Sequence, residues 1–159
     1  MGLRETINKS KPAAIAVTSA LVVAAVGLTV WSNRKPERLT SAFFTTDNGA
    51  TYFADDINKA APFDHDGKQA VRAYVYSIDN KPTVAYMERY TAEARPAAEA
   101  ILQKQDGSIQ AQAELTNFLQ KGNPLEVKRP SDAKWVSGNS KEAAQIRSSA
   151  GGGAPAVYP

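Results

Sequence analysis

The rhythm of apolar and polar positions changes twice along this chain of 159 residues. From Ala13 to Trp31 there is no polar face at all: 19 consecutive residues are apolar apart from Gly27 and the hydroxyls of Thr18, Ser19 and Thr29. Between Ser41 and Tyr90 lie stretches with strand character, interrupted by Asp55–Gly67, which has no clear period. From Pro96 onward the pattern takes the three-and-four spacing of helices.

At roughly 1.5 Å per residue, the first run matches the roughly 30 Å hydrocarbon thickness of a bilayer and predicts a transmembrane helix over 13–31. Its hydroxyls can return to the helix backbone, and Trp31 stands at the end, where an indole favours the interface. A buried soluble helix is the bland alternative, but such helices seldom stay apolar all round. A cleaved signal peptide is the stronger competitor, with Val23-Ala24-Ala25 as its cleavage site. Cleavage there would leave "VGLTVW" at the new terminus, and the run exceeds a signal core of roughly 7 to 15 residues. The expectation is an uncleaved single-pass anchor, preceded by a basic arm over 1–12 and followed by a charged linker over 32–39. Three Lys/Arg flank the span on each side, so the short arm decides the orientation: N-terminus cytoplasmic, domain exported. "MGLRET" also fits the myristoylation pattern at Gly2 and Thr6, an anchor that a chain with its own membrane helix does not need.

Within a domain expected over 40–148, Ser41–Thr46 and Thr51–Ala54 read as strands joined through Asp47-Asn48-Gly49-Ala50. Ala70–Ile78 and Thr83–Tyr90 form the clearest hairpin, turned by Asp79-Asn80-Lys81-Pro82. In "VRAYVYSI", Val71, Ala73 and Val75 point to one face, and Tyr74 and Tyr76 to the other. The tyrosines either form a binding platform or lie beneath the helices; the second reading is expected, because two hairpins need a wide apolar face to hold them. Asp55–Gly67 has no clear period and reads as a loop.

Pro96–Lys104 is Ala-rich and helical. Asp106-Gly107 breaks it, and Ser108 caps a helix over Ile109–Gln120, whose Ile109, Gln112, Leu115, Phe118 and Leu119 share a face suited to packing on a sheet. Leu125–Val127 is a short strand. Asn139 and Glu142 have capping-box spacing and open a last helix to Ser148. The tail 149–159, "SAGGGAPAVYP", is Gly/Pro-rich and expected to lack structure.

Charge changes the picture only at one place. The formal net charge is +3, but the 39 N-terminal residues carry a balance of +4 and the remainder −1. The positive excess therefore flanks the predicted span, and no nucleic-acid footprint is expected on the domain. The absence of cysteine excludes disulfides, thiolate metal sites and a Cys nucleophile.

Thr45-x-Asp47-x-Gly49-x-Thr51-Tyr52 resembles the Asp-box of the sialidase-type repeat, [ST]-x-D-x-G-x-T-[WYF]. That resemblance covers eight residues and implies a hairpin turn in which the Asp accepts turn amides, the Gly is left-handed and the aromatic packs beneath. Propellers carry several copies and this chain carries one, so no glycosidase activity follows. Asp47, Gly49, Thr51 and Tyr52 are expected to be structural. The overall pattern, a membrane span followed by a small domain, also resembles small bacterial single-pass membrane proteins.

The densest polar cluster is Asp55, Asp56, Asp64, His65 and Asp66. Hard oxygen ligands in a loop suit Ca²⁺, but an EF-hand count from Asp64 places Lys68 and Val75 where oxygen donors are required. Asp55, Asp56, Asp64 and Asp66 therefore remain weak metal candidates, and a solvated acidic turn is the expectation. His65 is the only histidine. It cannot build a multi-His zinc site, and no serine sits in a G-x-S-x-G or S-x-x-K context for it to activate. No phosphate-binding glycine loop is present. No cofactor and no catalytic residue is assigned.

The sequence reading is thus an α+β protein: a transmembrane helix, then antiparallel hairpins packed against two or three helices. The expected function is a non-catalytic accessory or protein-interaction domain on the exported side of a bacterial membrane. Its expected partners are the bilayer, through 13–31, and another membrane or envelope protein. Two alternatives stand beside it. One is a pilin-like secretion subunit, which Arg4, Lys9 and Lys11 argue against. The other is a metal-dependent hydrolase using the acidic loop 55–66.

Overall fold

A computed structural model describes residues 39–106 and 108–159. The expected span 13–31, the arm 1–12 and the linker up to residue 38 lie outside the described residues. Among the described residues no helix is long and apolar enough to cross a membrane.

The described chain is α+β, with an antiparallel sheet and three α-helices. Its strands are β1 (Ser41–Thr45), β2 (Phe53–Asp56), β3 (Phe63–His65), β4 (Lys68–Ile78), β5 (Lys81–Tyr90), β6 (Leu125–Lys128), β7 (Val136–Ser137) and β8 (Ala156–Val157). The helices are α1 (Arg95–Leu102), α2 (Ile109–Gln120) and α3 (Lys141–Ser148), and a short 3₁₀ turn covers Ala150–Gly153. The sheet runs β2-β1-β4-β5-β6-β7, with β3 and β8 also pairing with β4.

The β4–β5 hairpin is the spine. Asp79 and Asn80 take φ of 51° and 60°, the left-handed pair whose twist matches flanking strands and that Asp and Asn tolerate best. The strand then begins earlier than the proline suggests. Pro82 pairs with Ser77, but the Ser77 N–H turns to the opposite edge and donates to the Pro155 carbonyl at 3.0 Å. No donor is therefore required of Pro82. Tyr74 pairs with Tyr86 and Val75 with Val84, which leaves Ala85 as an extra residue. That bulge brings Val84 and Met87 onto one face.

One face carries Ala73, Val75, Val84 and Met87, covered by Phe43, Tyr52, Trp135 and Val157. Arg89 lies 4.4 Å over the Trp135 ring and is paired with Glu126 at 2.8 Å. The opposite face carries Tyr86 and Val127 under Ala143 and Ile146 of α3, with Tyr74 and Tyr76 packed against them. Tyr90 extends this face beneath α1 and α2, against Leu102, Leu115 and Phe118.

Several expectations need correction. The segment 55–67 is not wholly loop: β2 runs on to Asp56, and β3 occupies Phe63–His65, because Phe53 and Phe63 pack around Phe44 and leave the intervening polar side chains outward. Strand β7 was not expected. The cap of α3 is Ser140, which accepts from the Ala143 N–H at 3.0 Å, while the Asn139 N–H donates to Asn123. On α2, Ala111 is buried and Leu115, Phe118 and Leu119 are half-buried, but Ile109 is 87% exposed in the first turn. The tail 149–159 is ordered into the 3₁₀ turn and β8, because an edge of β4 is open to receive it.

Candidate functional site

The Asp47 turn is built almost entirely from its own residues. Asp47 accepts from the Thr51 N–H at 2.9 Å and from the Thr51 hydroxyl at 2.6 Å. The hydroxyl of fully buried Thr45 donates to Asp47 at 2.8 Å and accepts from the Gly49 N–H at 2.9 Å. These bonds, the Thr51 hydroxyl foremost, lower the Asp47 pKa to about 2. Gly49 has φ +85°, and a Cβ there would meet Pro130 at 3.0 Å and Val84 at 3.2 Å. Asn48 reaches the Pro130 carbonyl at 2.6 Å, and Tyr52 meets Phe43 edge-on at 4.8 Å. The turn thus closes one face of the sheet.

The acidic residues are spread over separate local tasks. Asp55 pairs with Lys59 at 2.6 Å, which is the main reason its pKa is lowered. Asp56 accepts from the Asn58 N–H at 2.8 Å. Asp64 faces Gly67 across the turn joining β3 to β4, and His65 stacks on Phe53 at 3.9 Å with Asp66 at 3.8 Å. Among the described residues no three His, Asp or Glu side chains are placed to hold a metal ion.

A second surface feature lies beside β4. Strand β1 pairs with β4 only at Thr45↔Val71 and Phe44↔Arg72, although it stays with β2 from Phe44 back to Ser41. Strand β8 pairs with β4 at Val75 and Tyr76. Among the described residues, no strand pairs with Ala73 and Tyr74 on that edge. The resulting notch, a cavity of about 220 Å³, is bordered by Leu39, Ile57, Arg72, Tyr74, Tyr76 and Tyr158. Leu39 is 49% exposed and Tyr158 64%. Arg72 and Tyr74 also border a second cavity of about 170 Å³, roofed by Leu102, Leu115 and Leu119.

The floor of the notch is held from behind. Tyr74 and Tyr86 stack at 4.3 Å with 7° between their planes. The Tyr74 hydroxyl donates to Glu88 at 2.7 Å, and Arg147 donates to the other Glu88 oxygen at 2.7 Å and to the Gly138 carbonyl at 2.7 Å. Burial pushes the Tyr74 hydroxyl well above the usual tyrosine range, and the Glu88 charge adds to it. Tyr86 and Tyr90 are raised too, in both cases chiefly by burial. These hydroxyls are donors at neutral pH, suited to holding a surface in place. Arg72 lies 5.6 Å over the Tyr74 ring and, among the described residues, its guanidinium has no hydrogen-bond or ion-pair partner. Its charge is available at the notch.

Sequence reasoning places Tyr74 and Tyr76 on one face, and the structure uses them both beneath α3 and at the notch. It misses Arg72, Leu39 and Tyr158. The alternation that pairs the tyrosines also puts Arg72 on their face, a signal that was present. Nothing local announces that β1 leaves β4. No family model matches the chain, and neither the curated proteins nor the solved structures contain a match.

Proposed function

We propose that this chain is a membrane-anchored, non-catalytic interaction domain, held by residues 13–31 on the exported side of a bacterial membrane. It meets another membrane or envelope protein at the notch beside β4. The observation that carries this reading is the interrupted β4 edge: backbone at Ala73 and Tyr74 that no strand pairs with on that side among the described residues, flanked by exposed Leu39 and Tyr158 and by Arg72. The gap between β1 and β8 leaves the outward backbone of Ala73 for a main-chain contact, and the flanking side chains supply the rest of the recognition. The apolar run and its basic flanks support the anchor. The Asp47 turn, which resembles an Asp-box, has a bracing role in this reading.

Two experiments test it. Full-length protein should stay with membranes after carbonate extraction; recovery of a mature chain beginning near Val26 would overturn the anchor. A photoreactive phenylalanine analogue at Tyr158 should cross-link a defined partner in membranes, whereas the same group at exposed Ile109 should not. Equal labelling from both positions would remove the notch from the proposal.

A further inference from the structure

We propose that the cavity roofed by α1 and α2 holds a small aliphatic monocarboxylate, with its head on Arg72 and Tyr90 and its chain among the leucines. This site is separate from the notch and stands whether or not a partner docks there.

The charges around the cavity are matched except for one. Four charged side chains border it: Lys59, Arg72, Glu88 and Arg89. Lys59 is held by Asp55 at 2.6 Å, Arg89 by Glu126 at 2.8 Å and Glu88 by Arg147 at 2.7 Å. Arg72 lies opposite Glu88 in the β4–β5 register, where opposite charges on neighbouring strands ordinarily pair. Here the two Glu88 oxygens receive Arg147 and Tyr74 instead. The Arg72 guanidinium is left without an ion-pair partner among the described residues. One unmatched positive charge calls for a monoanion, and the planar guanidinium fork fits the two oxygens of a carboxylate. Tyr90 supplies a second donor. It stands two residues beyond Glu88 on the same face of β5 and borders the same cavity. Its hydroxyl has no hydrogen-bond partner among the described residues. Burial raises its pKa, and Arg72 is close enough for its charge to oppose that shift. The hydroxyl is therefore protonated at neutral pH and free to donate.

The rest of the lining selects the chain. Leu102, Leu115, Leu119 and Leu125 reach the cavity from α1, α2 and β6. The last three stay half-buried, so the fold leaves apolar surface there for a ligand to cover. The volume is about 170 Å³, close to that of an apolar cavity of about 150 Å³ that takes up benzene. An aliphatic chain of about six carbons is of that size.

Hexanoate is the probe. Equilibrium dialysis of full-length protein in lipid nanodiscs, with empty discs subtracted, should show saturable binding at one site per chain. Acetate lacks the chain and hexylamine reverses the charge, so each should compete at least about tenfold less well. Hexyl phosphate, with a charge of about −1.5 to −2, should also compete less well than hexanoate. Arg72→Gln should weaken hexanoate binding by about tenfold or more, as expected for a lost charge-assisted hydrogen bond. Leu119→Trp fills the cavity from α2 and should abolish binding by an independent route. Thermal melts identify which variants are folded. Uptake that does not saturate, or equal competition by hexylamine, overturns the proposal. So does tighter binding of hexyl phosphate, or wild-type affinity in either folded variant.

Discussion

Glu88 and Arg147 are 59 residues apart in the chain and 2.7 Å apart in the fold, and their bond ties β5 to the last turn of α3. The cation lies at a helix C-terminus, where the helix dipole favours it. The carboxylate also receives the Tyr74 hydroxyl, so one anion organises the floor of the notch.

Removing Arg147 leaves a side chain that is 11% exposed without its cation. Arg147→Ala should cost about 2 to 4 kcal/mol, less than for a fully buried pair because the arginine itself is 35% exposed. Tyr74→Phe should cost about 1 to 2 kcal/mol. In a double-mutant cycle with Glu88→Gln, the coupling should exceed about 0.5 kcal/mol. Additive denaturation midpoints would show that the three groups do not act together.

Alkaline pH offers an independent view of the same floor. The folded-state pKa of Tyr74 is raised, as are those of Tyr86 and Tyr90. Their contribution to stability is therefore complete below the unfolded value of about 10 and is lost as pH rises through the folded values. Tyrosinate absorbance should show Tyr74 and Tyr86 ionising only with unfolding, and Tyr90 at a higher pH than a free tyrosine. Tyr74→Phe should flatten the loss of stability above pH 10. A normal titration of all tyrosines in the folded state would contradict this.

For the Asp47 turn the sign is opposite. Its folded pKa is lowered to about 2 from 3.8, so its contribution is present above about pH 4 and disappears as pH falls towards 2. Because Asp47 is exposed, solvent screening discounts the gain, and Asp47→Ala should cost about 1 kcal/mol at neutral pH. Asp47→Asn should cost less, since an amide oxygen still accepts. Gly49→Val should be at least as harmful as the alanine change, because it combines a left-handed φ with contact against Pro130. Thermal melts from pH 2 to 7 measure this; an Asp47→Ala protein melting at or above wild type refutes it.

The tail can be probed through its glycines. A Cβ at Gly151 would lie 2.4 Å from the Tyr76 ring at φ +68°, whereas one at Gly152, φ +57°, meets nothing within 4 Å. Gly152→Ala should cost only the left-handed penalty of about 1 to 2 kcal/mol. Gly151→Ala should cost more and also speed amide exchange at Val75 and Ser77. Equal effects would mean that the Gly151–Tyr76 packing does not hold the tail.

Millimolar Ca²⁺, Mg²⁺ or Zn²⁺ should leave the melting temperature unchanged, since Asp55 and Asp56 are engaged locally and Asp64 is not joined by two further ligands. A bound metal at 100 times its Kd would add about 2.7 kcal/mol. An upward shift that Asp64→Ala abolishes would reinstate the acidic segment as a site.

The features legible in the sequence are those whose partners lie close along the chain. Strands β4 and β5 follow from alternation and the Asp79-Asn80 turn, and α2 from its period and from Ser108, whose hydroxyl accepts the Ala111 N–H at 3.1 Å. The Asp47 turn closes on itself within a few residues. One misreading turns on a single residue: Ser140, not Asn139, caps α3, and the Asn139 N–H donates instead to Asn123, 16 residues away. The tertiary structure decided the rest. Whether 156–157 is a strand depends on β1 pairing with β4 only at Phe44 and Thr45, so that Ser41–Phe43 leave the edge free for it. That Arg72, Leu39 and Tyr158 border one notch depends on the same departure. The physical reason is that a helix or tight turn satisfies its backbone within itself, whereas a strand is completed only by a neighbour that the local pattern does not name.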